Sequence, residues 1–142
     1  YRGAVHPAAG TFDHDKLISD WSFRHFAYAA GLGTFGINNM LITPKGCCGR
    51  YNTIVTNLDV AADKPMEREL CLYKANGSCG ICMKNCPTQA ISEDGYDRHK
   101  CYEILCKNAE IYRVEDNSYE GSNGSEVCGK CVTGSPCAFW NR

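Results

Sequence analysis

The stretch SCGICMKNCPTQAI, residues 78–91, decides how this chain is read. It places Cys79, Cys82 and Cys86 in the pattern C-x2-C-x3-C, with Pro87 directly after the last of them. Three chemistries use such spacings: a disulfide staple, a zinc knuckle and the cradle of an iron–sulfur cluster. The chain has 11 cysteines in 142 residues, an odd number in a chain too long to depend on staples. Four of them come in two C-x2-C pairs, which suits metals better than loop-closing disulfides. A zinc ribbon also uses two C-x2-C pairs, but it has no use for a cysteine followed by proline. An iron–sulfur cube needs soft thiolates delivered by a tight turn plus one ligand from elsewhere in the chain. The opening stretch is therefore read as a cluster cradle.

Working outward, Asn76 stands where a ferredoxin run would carry another cysteine, and Cys71 is the nearest substitute. In two-cluster ferredoxins the cysteine before the proline serves the other cluster. A second half-site, Cys128-x2-Cys131 with Cys137 farther on, lies near the end of the chain. Pseudo-symmetry then assigns Cys71, Cys79, Cys82 and Cys137 to one 4Fe–4S cluster, and Cys86, Cys101, Cys128 and Cys131 to a second. Cys106 competes with Cys101. Five helical residues turn by about 500°, which leaves the two roughly 140° apart, so Cys106 is expected to be a buried, inert thiol. Cys47 and Cys48 are adjacent, point in different directions and read as turn residues or weakly reactive thiols.

The remaining composition mainly excludes. A formal net charge of −1 without a long basic run gives nucleic-acid binding little support. No apolar segment approaches the length of a membrane span. His6, His14, His25 and His99 have no spacing typical of a metal site. Free thiols in this number point to a reducing compartment, expected to be the cytoplasm. The chain opens YRGAVHPAAG, and the expectation is a piece of a longer protein.

Residues 15–30, DKLISDWSFRHFAYAA, carry apolar residues at helical spacing and predict a helix ended by Gly31 and Gly33. An apolar run, a Pro/Gly turn and an alternating stretch predict a β-hairpin over 40–58. A charged connector follows, and the domain boundary is placed at 62/63. Asp97 reads as the N-cap of a helix that begins RHKCYEILC. Residues 1–14 read as an irregular lead-in and 115–126 as a polar loop. Trp21 and Trp140 are expected in the core or shielding a cluster.

At RHFAYAAGLGTFGINNMLITPKG, and on through VTNLDVAADKP, CGICMKNCPTQAI, DRHKC and CGKCVTGSPCAFWNR, the chain resembles a family of cobalamin-dependent reductases. That family comprises the epoxyqueuosine reductases and the reductive dehalogenases. The resemblance implies an α+β chain, with the end of a nitroreductase-like α/β domain (1–62) followed by a double 4Fe–4S ferredoxin-like domain (63–142). It implies that Gly31, Gly33 and Gly36 lie in a loop near cobalamin, held in the full-length parent. Ile37 stands where epoxyqueuosine reductases usually carry a lysine, and no catalytic acid can be placed on any residue here. The function implied is a relay of single electrons through two clusters to a cobalamin-type or other redox site, fed by a donor such as a ferredoxin or flavodoxin. The alternatives are a stand-alone ferredoxin-like electron carrier or redox subunit, a cluster-based redox or oxygen sensor, and a zinc-binding structural or interaction module.

Overall fold

The computed structural model describes residues 12–111 and 127–139. The lead-in through residue 11, the 115–126 loop and Trp140 lie outside the described residues. Helices and short strands are mixed. Three two-residue hairpin ladders are each antiparallel: β1 (Phe12–Asp13) with β2 (Ile18–Ser19), β3 (Thr34–Phe35) with β4 (Leu41–Ile42), and β5 (Ile91–Ser92) with β6 (Gly95–Tyr96). Four helices accompany them: α1 (Phe23–Ala29), α2 (Leu72–Asn76), α3 (Ile81–Asn85) and α4 (Arg98–Ile111). Among the described residues no helix is long and apolar enough to cross a membrane.

The helix predicted over 15–30 is shorter than its apolar pattern, and its first half is a hairpin. The reason is local. The carboxylate of Asp13 accepts hydrogen bonds from the backbone N–H groups of Asp15 (3.0 Å) and Lys16 (2.9 Å), closing a turn. Leu17 then adopts φ of 52°, which breaks any helical run. The helix starts only after Ser22, whose carbonyl accepts from His25 and Phe26. It ends as predicted. The N–H of Leu32 reaches the carbonyl of Ala27 and that of Gly31 reaches Tyr28, with Gly31 left-handed at φ 73°.

The hairpin predicted over 40–58 is also corrected. Leu41 and Ile42 pair backwards with Phe35 and Thr34, across a turn in which Asn39 takes φ of 58°. Residues 51–58 add no strand; instead Tyr51 donates its hydroxyl to the carbonyl of Leu41 (3.3 Å), and Thr53 accepts from the indole of Trp21 (2.7 Å). The helix predicted after Asp97 is α4, and the Asp97 carboxylate accepts from His99 (3.0 Å) and Lys100 (3.1 Å), as an N-cap should.

The core crosses the charged connector. Ile42 and Cys47 pack with Leu70 and Cys71, and Met40, Tyr73 and Val132 close around them. Polar contacts cross as well. The hydroxyl of Thr34 donates to Glu69 (2.8 Å) and accepts from the buried N–H of Leu70 (3.0 Å), while Glu69 also accepts from the N–H of Cys71 (2.8 Å). The side chain of Lys74 reaches the carbonyl of Phe35. Residues 31–48 thus form one wall of the cysteine-rich half.

Candidate metal centres

The cysteines divide between two cavities. In the first, Cys71 sits just before α2, Cys79 follows that helix, Cys82 lies within α3 and Cys137 arrives from the C-terminal segment. Gly77, left-handed at φ 73°, ends α2 and turns the chain so that Cys79 faces the same space as Cys71. In the second cavity, Cys86 and Pro87 leave α3, Cys101 comes from the first turn of α4, and Cys128 and Cys131 come from the C-terminal segment. The chain therefore crosses: the last cysteine of each motif serves the cavity of the other. Site I is the tighter, enclosing about 20 Å³, and site II the roomier at about 330 Å³. The thiols of site I must turn apart to admit a cube.

Electrostatics mark the same two sets. Burial pushes the Cys82 thiol up to about 11, and the negative charge of Cys137, Cys71 and Cys79 adds to it. Burial likewise pushes Cys131 up to about 11, assisted by Cys101, Cys128 and Cys86. Clustered thiols in a dry place resist ionisation until a cation neutralises them. Among the described residues no three His, Cys, Asp or Glu side chains converge closely enough to hold a single ion. Eight cysteines in two groups of four fit two 4Fe–4S clusters.

The Cys-Pro signal now has a physical basis. After Cys86 the chain makes a tight turn, with the N–H of Gln89 on the carbonyl of Cys86 (3.2 Å) and Gln89 at φ 53°. The turn aims the N–H of Ala90 at the Cys86 sulfur (3.2 Å), with the Thr88 hydroxyl at 3.7 Å. Burial raises the Cys86 thiol, but these donors outweigh it and the net shift is downward. Hydrogen bonds to ligand sulfur favour the more negative, reduced state of a cluster. In site I the Ser135 hydroxyl lies 3.3 Å from the Cys137 sulfur.

Cys106 lines neither cavity, and it is half-buried where a buried thiol was expected. Cys48 is exposed. Cys47, expected to be a turn residue or a weakly reactive thiol, is buried with its sulfur 3.8 Å from that of Cys137. Asn38 was not singled out either. It is 2 % exposed and lines both cavities, its amide donating to the carbonyl of Cys131 (3.3 Å) and its oxygen accepting from the N–H of Met40 (3.2 Å). An asparagine in a turn carries no sequence signal that distinguishes this role from ordinary turn chemistry.

The glycines face protein. A Cβ on Gly31 would stand 2.1 Å from the carbonyl oxygen of Lys64, and one on Gly33 would stand 2.0 Å from that of Ile42. Gly36 is crowded by the side chain of Asn38. Ile37, beside them, lines site I.

The tetrachloroethene reductive dehalogenase of Dehalobacter restrictus is 37% identical over 130 residues, which cover 82% of this chain and 21% of that protein. The epoxyqueuosine reductase of Lactococcus garvieae is 33% identical over 94 residues, 64% of this chain and 25% of that protein. A crystal structure of a selenomethionine-labelled epoxyqueuosine reductase superposes with a TM-score of 0.53 at 26% identity, covering 82% of this chain and 30% of that one. The chain is a relative of the epoxyqueuosine reductases and reductive dehalogenases. It spans about a fifth to a quarter of the length of the two relatives just named. Both kinds of relative are reductases, so the relationship is to oxidoreductases. No protein-family model matches the chain.

Proposed function

We propose that this chain is the iron–sulfur electron-transfer portion of an oxidoreductase resembling epoxyqueuosine reductase. The observation that carries the reading is the sorting of eight cysteines into two four-thiol cavities with crossed motifs. Cys71, Cys79, Cys82 and Cys137 would hold one 4Fe–4S cluster, and Cys86, Cys101, Cys128 and Cys131 the other, in the manner of a two-cluster ferredoxin. A cluster, when bound, supplies reversible one-electron chemistry at modest reorganisation.

The chain's own residues set position and environment. The turn at 86–90 donates hydrogen bonds to one ligand sulfur. Asn38 ties the wall of site I to the backbone of Cys131 in site II and so fixes the spacing of the two sites. Ile37, Ile42 and Tyr73 line site I with apolar surface, and such a lining tunes potential. The strand and turn segments of 31–48 would belong to the edge of a nitroreductase-like cofactor domain. The loop of Gly31, Gly33 and Gly36 would keep its shape beside cobalamin by packing on the backbone of Lys64 and Ile42 and the side chain of Asn38. Electrons would come from a donor such as a ferredoxin or flavodoxin in a reducing compartment such as the cytoplasm.

The relay is tested by anaerobic reductive titration. The expected result is visible absorbance that bleaches with dithionite and takes up about two electrons per chain, one for each 4Fe–4S cluster. An absorbance that does not respond to reductant would refute electron transfer.

A further inference from the structure

We propose that Cys47 and Cys137 form a thiol–disulfide pair through which a small oxidised disulfide withdraws Cys137 from site I. The pair itself stands on its own geometry; its consequence for site I rests on the cluster reading above.

Cys47 belongs to no ligand set, yet three close approaches pin its segment against the chain around Cys137. The N–H of Cys47 donates to the carbonyl of Cys137 (2.8 Å), and the N–H of Cys48 donates to that of Ala138 (3.2 Å). Gly46 lies so close that a Cβ there would stand 2.2 Å from the carbonyl oxygen of Ala138. The two sulfurs are thereby held 3.8 Å apart although their residues lie 90 positions apart in sequence. A disulfide needs its sulfurs at about 2.05 Å, so closure requires them to approach by roughly 1.8 Å. Exposure sets the order of events. Cys137 is half-buried and Cys47 is 4 % exposed, so an external reagent meets Cys137 first and Cys47 acts as the resolving thiol.

The chemistry balances with oxidised glutathione as the two-electron oxidant. The Cys137 thiolate attacks one sulfur of glutathione disulfide, forming a mixed disulfide and expelling one glutathione thiolate. The Cys47 thiol gives up its proton, attacks the Cys137 sulfur of that mixed disulfide and expels the second glutathione. Two cysteine sulfurs are oxidised and one disulfide is reduced to two thiols; Cys137 gives up its place in site I as it attacks, the Cys47 proton passes to one glutathione thiolate, and solvent protonates the other. A sulfur engaged in this bond has no thiolate left for a metal, so site I is left with three thiols while site II keeps four.

The test treats the full chain, purified anaerobically, with oxidised glutathione. Peptide mapping is expected to recover a Cys47–Cys137 disulfide, and iron is expected to fall by about half in step with it. A dithiol reductant followed by iron and sulfide should restore the original content. C47A should stop at the Cys137–glutathione mixed disulfide, read as one retained glutathione by intact mass, with C47S as a second variant if the alanine protein folds poorly. Recovery of Cys47 as a free thiol in the parent, or of Cys137 bridged to Cys71, Cys79 or Cys82, would overturn the proposal. So would a C47A protein that retains no glutathione on Cys137. A chain that never carries iron would refute the cluster reading instead, while the mapped disulfide would still decide the pair.

Discussion

Thr34→Val tests whether the two halves of the chain act as one unit around site I. The substitution keeps the β-branched shape of a buried strand residue and removes only its hydroxyl. That hydroxyl accepts from the N–H of Leu70, which is 3 % exposed, and donates to the carboxylate of Glu69. Orphaning a buried N–H costs about 1–3 kcal/mol, and losing a partly exposed hydrogen bond to a charged group adds about 1 kcal/mol. The expected loss is about 2–4 kcal/mol. For a chain of this size that corresponds to a fall of roughly 10 °C in the midpoint of anaerobic thermal unfolding. Glu69 also holds the N–H of Cys71, so the damage should be local to site I: iron there falls while the site II signal persists. A midpoint within about 2 °C of the parent, roughly half a kcal/mol or less, would refute the shared core.

Three further predictions follow from single geometries. Gly33→Ala places a methyl 2.0 Å from a backbone oxygen and should cost more than about 3 kcal/mol. Gly77→Ala meets open space and should cost only the left-handed penalty of about 1–2 kcal/mol; equal unfolding midpoints would contradict the packing at Gly33. Cys101→Ala should lose the iron of site II, whereas Cys106→Ala should leave total iron unchanged, as read by elemental analysis of each variant. Cluster assembly should speed up as pH rises from 7 toward 9. Cys82 and Cys131, raised to about 11, hold their protons across that range and must release them to bind iron, so each step up in pH lowers the cost of deprotonation. An assembly rate that is flat with pH would count against thiol ionisation as the barrier.

The candidate centres were more legible in sequence than the fold around them. C-x2-C-x3-C-P is a local signal, since the turn that aims backbone N–H groups at Cys86 lies within five residues of it. The pitch of a helix sets Cys101 and Cys106 on different sides, and Cys101 is the one that lines the second cavity. The elements that were misread depended on partners that the pattern did not contain. Residues 51–58 alternate like a strand, but the partner of Leu41 and Ile42 lies upstream at Thr34 and Phe35. The helical periodicity of residues 15–30 lost to the Asp13 carboxylate and the left-handed Leu17 at its start. Adjacency correctly separates Cys47 from Cys48, but no spacing rule joins Cys47 to a residue 90 positions away. Asn38 is invisible for the same reason, its partner Cys131 being 93 positions distant.

The central claim is two four-iron clusters on eight named thiolates, and a metal and acid-labile sulfide count on anaerobically purified protein tests it most directly. Two 4Fe–4S clusters require about eight irons and eight sulfides per chain. One or two zinc ions, with no iron and no sulfide, would contradict the account and leave a structural module.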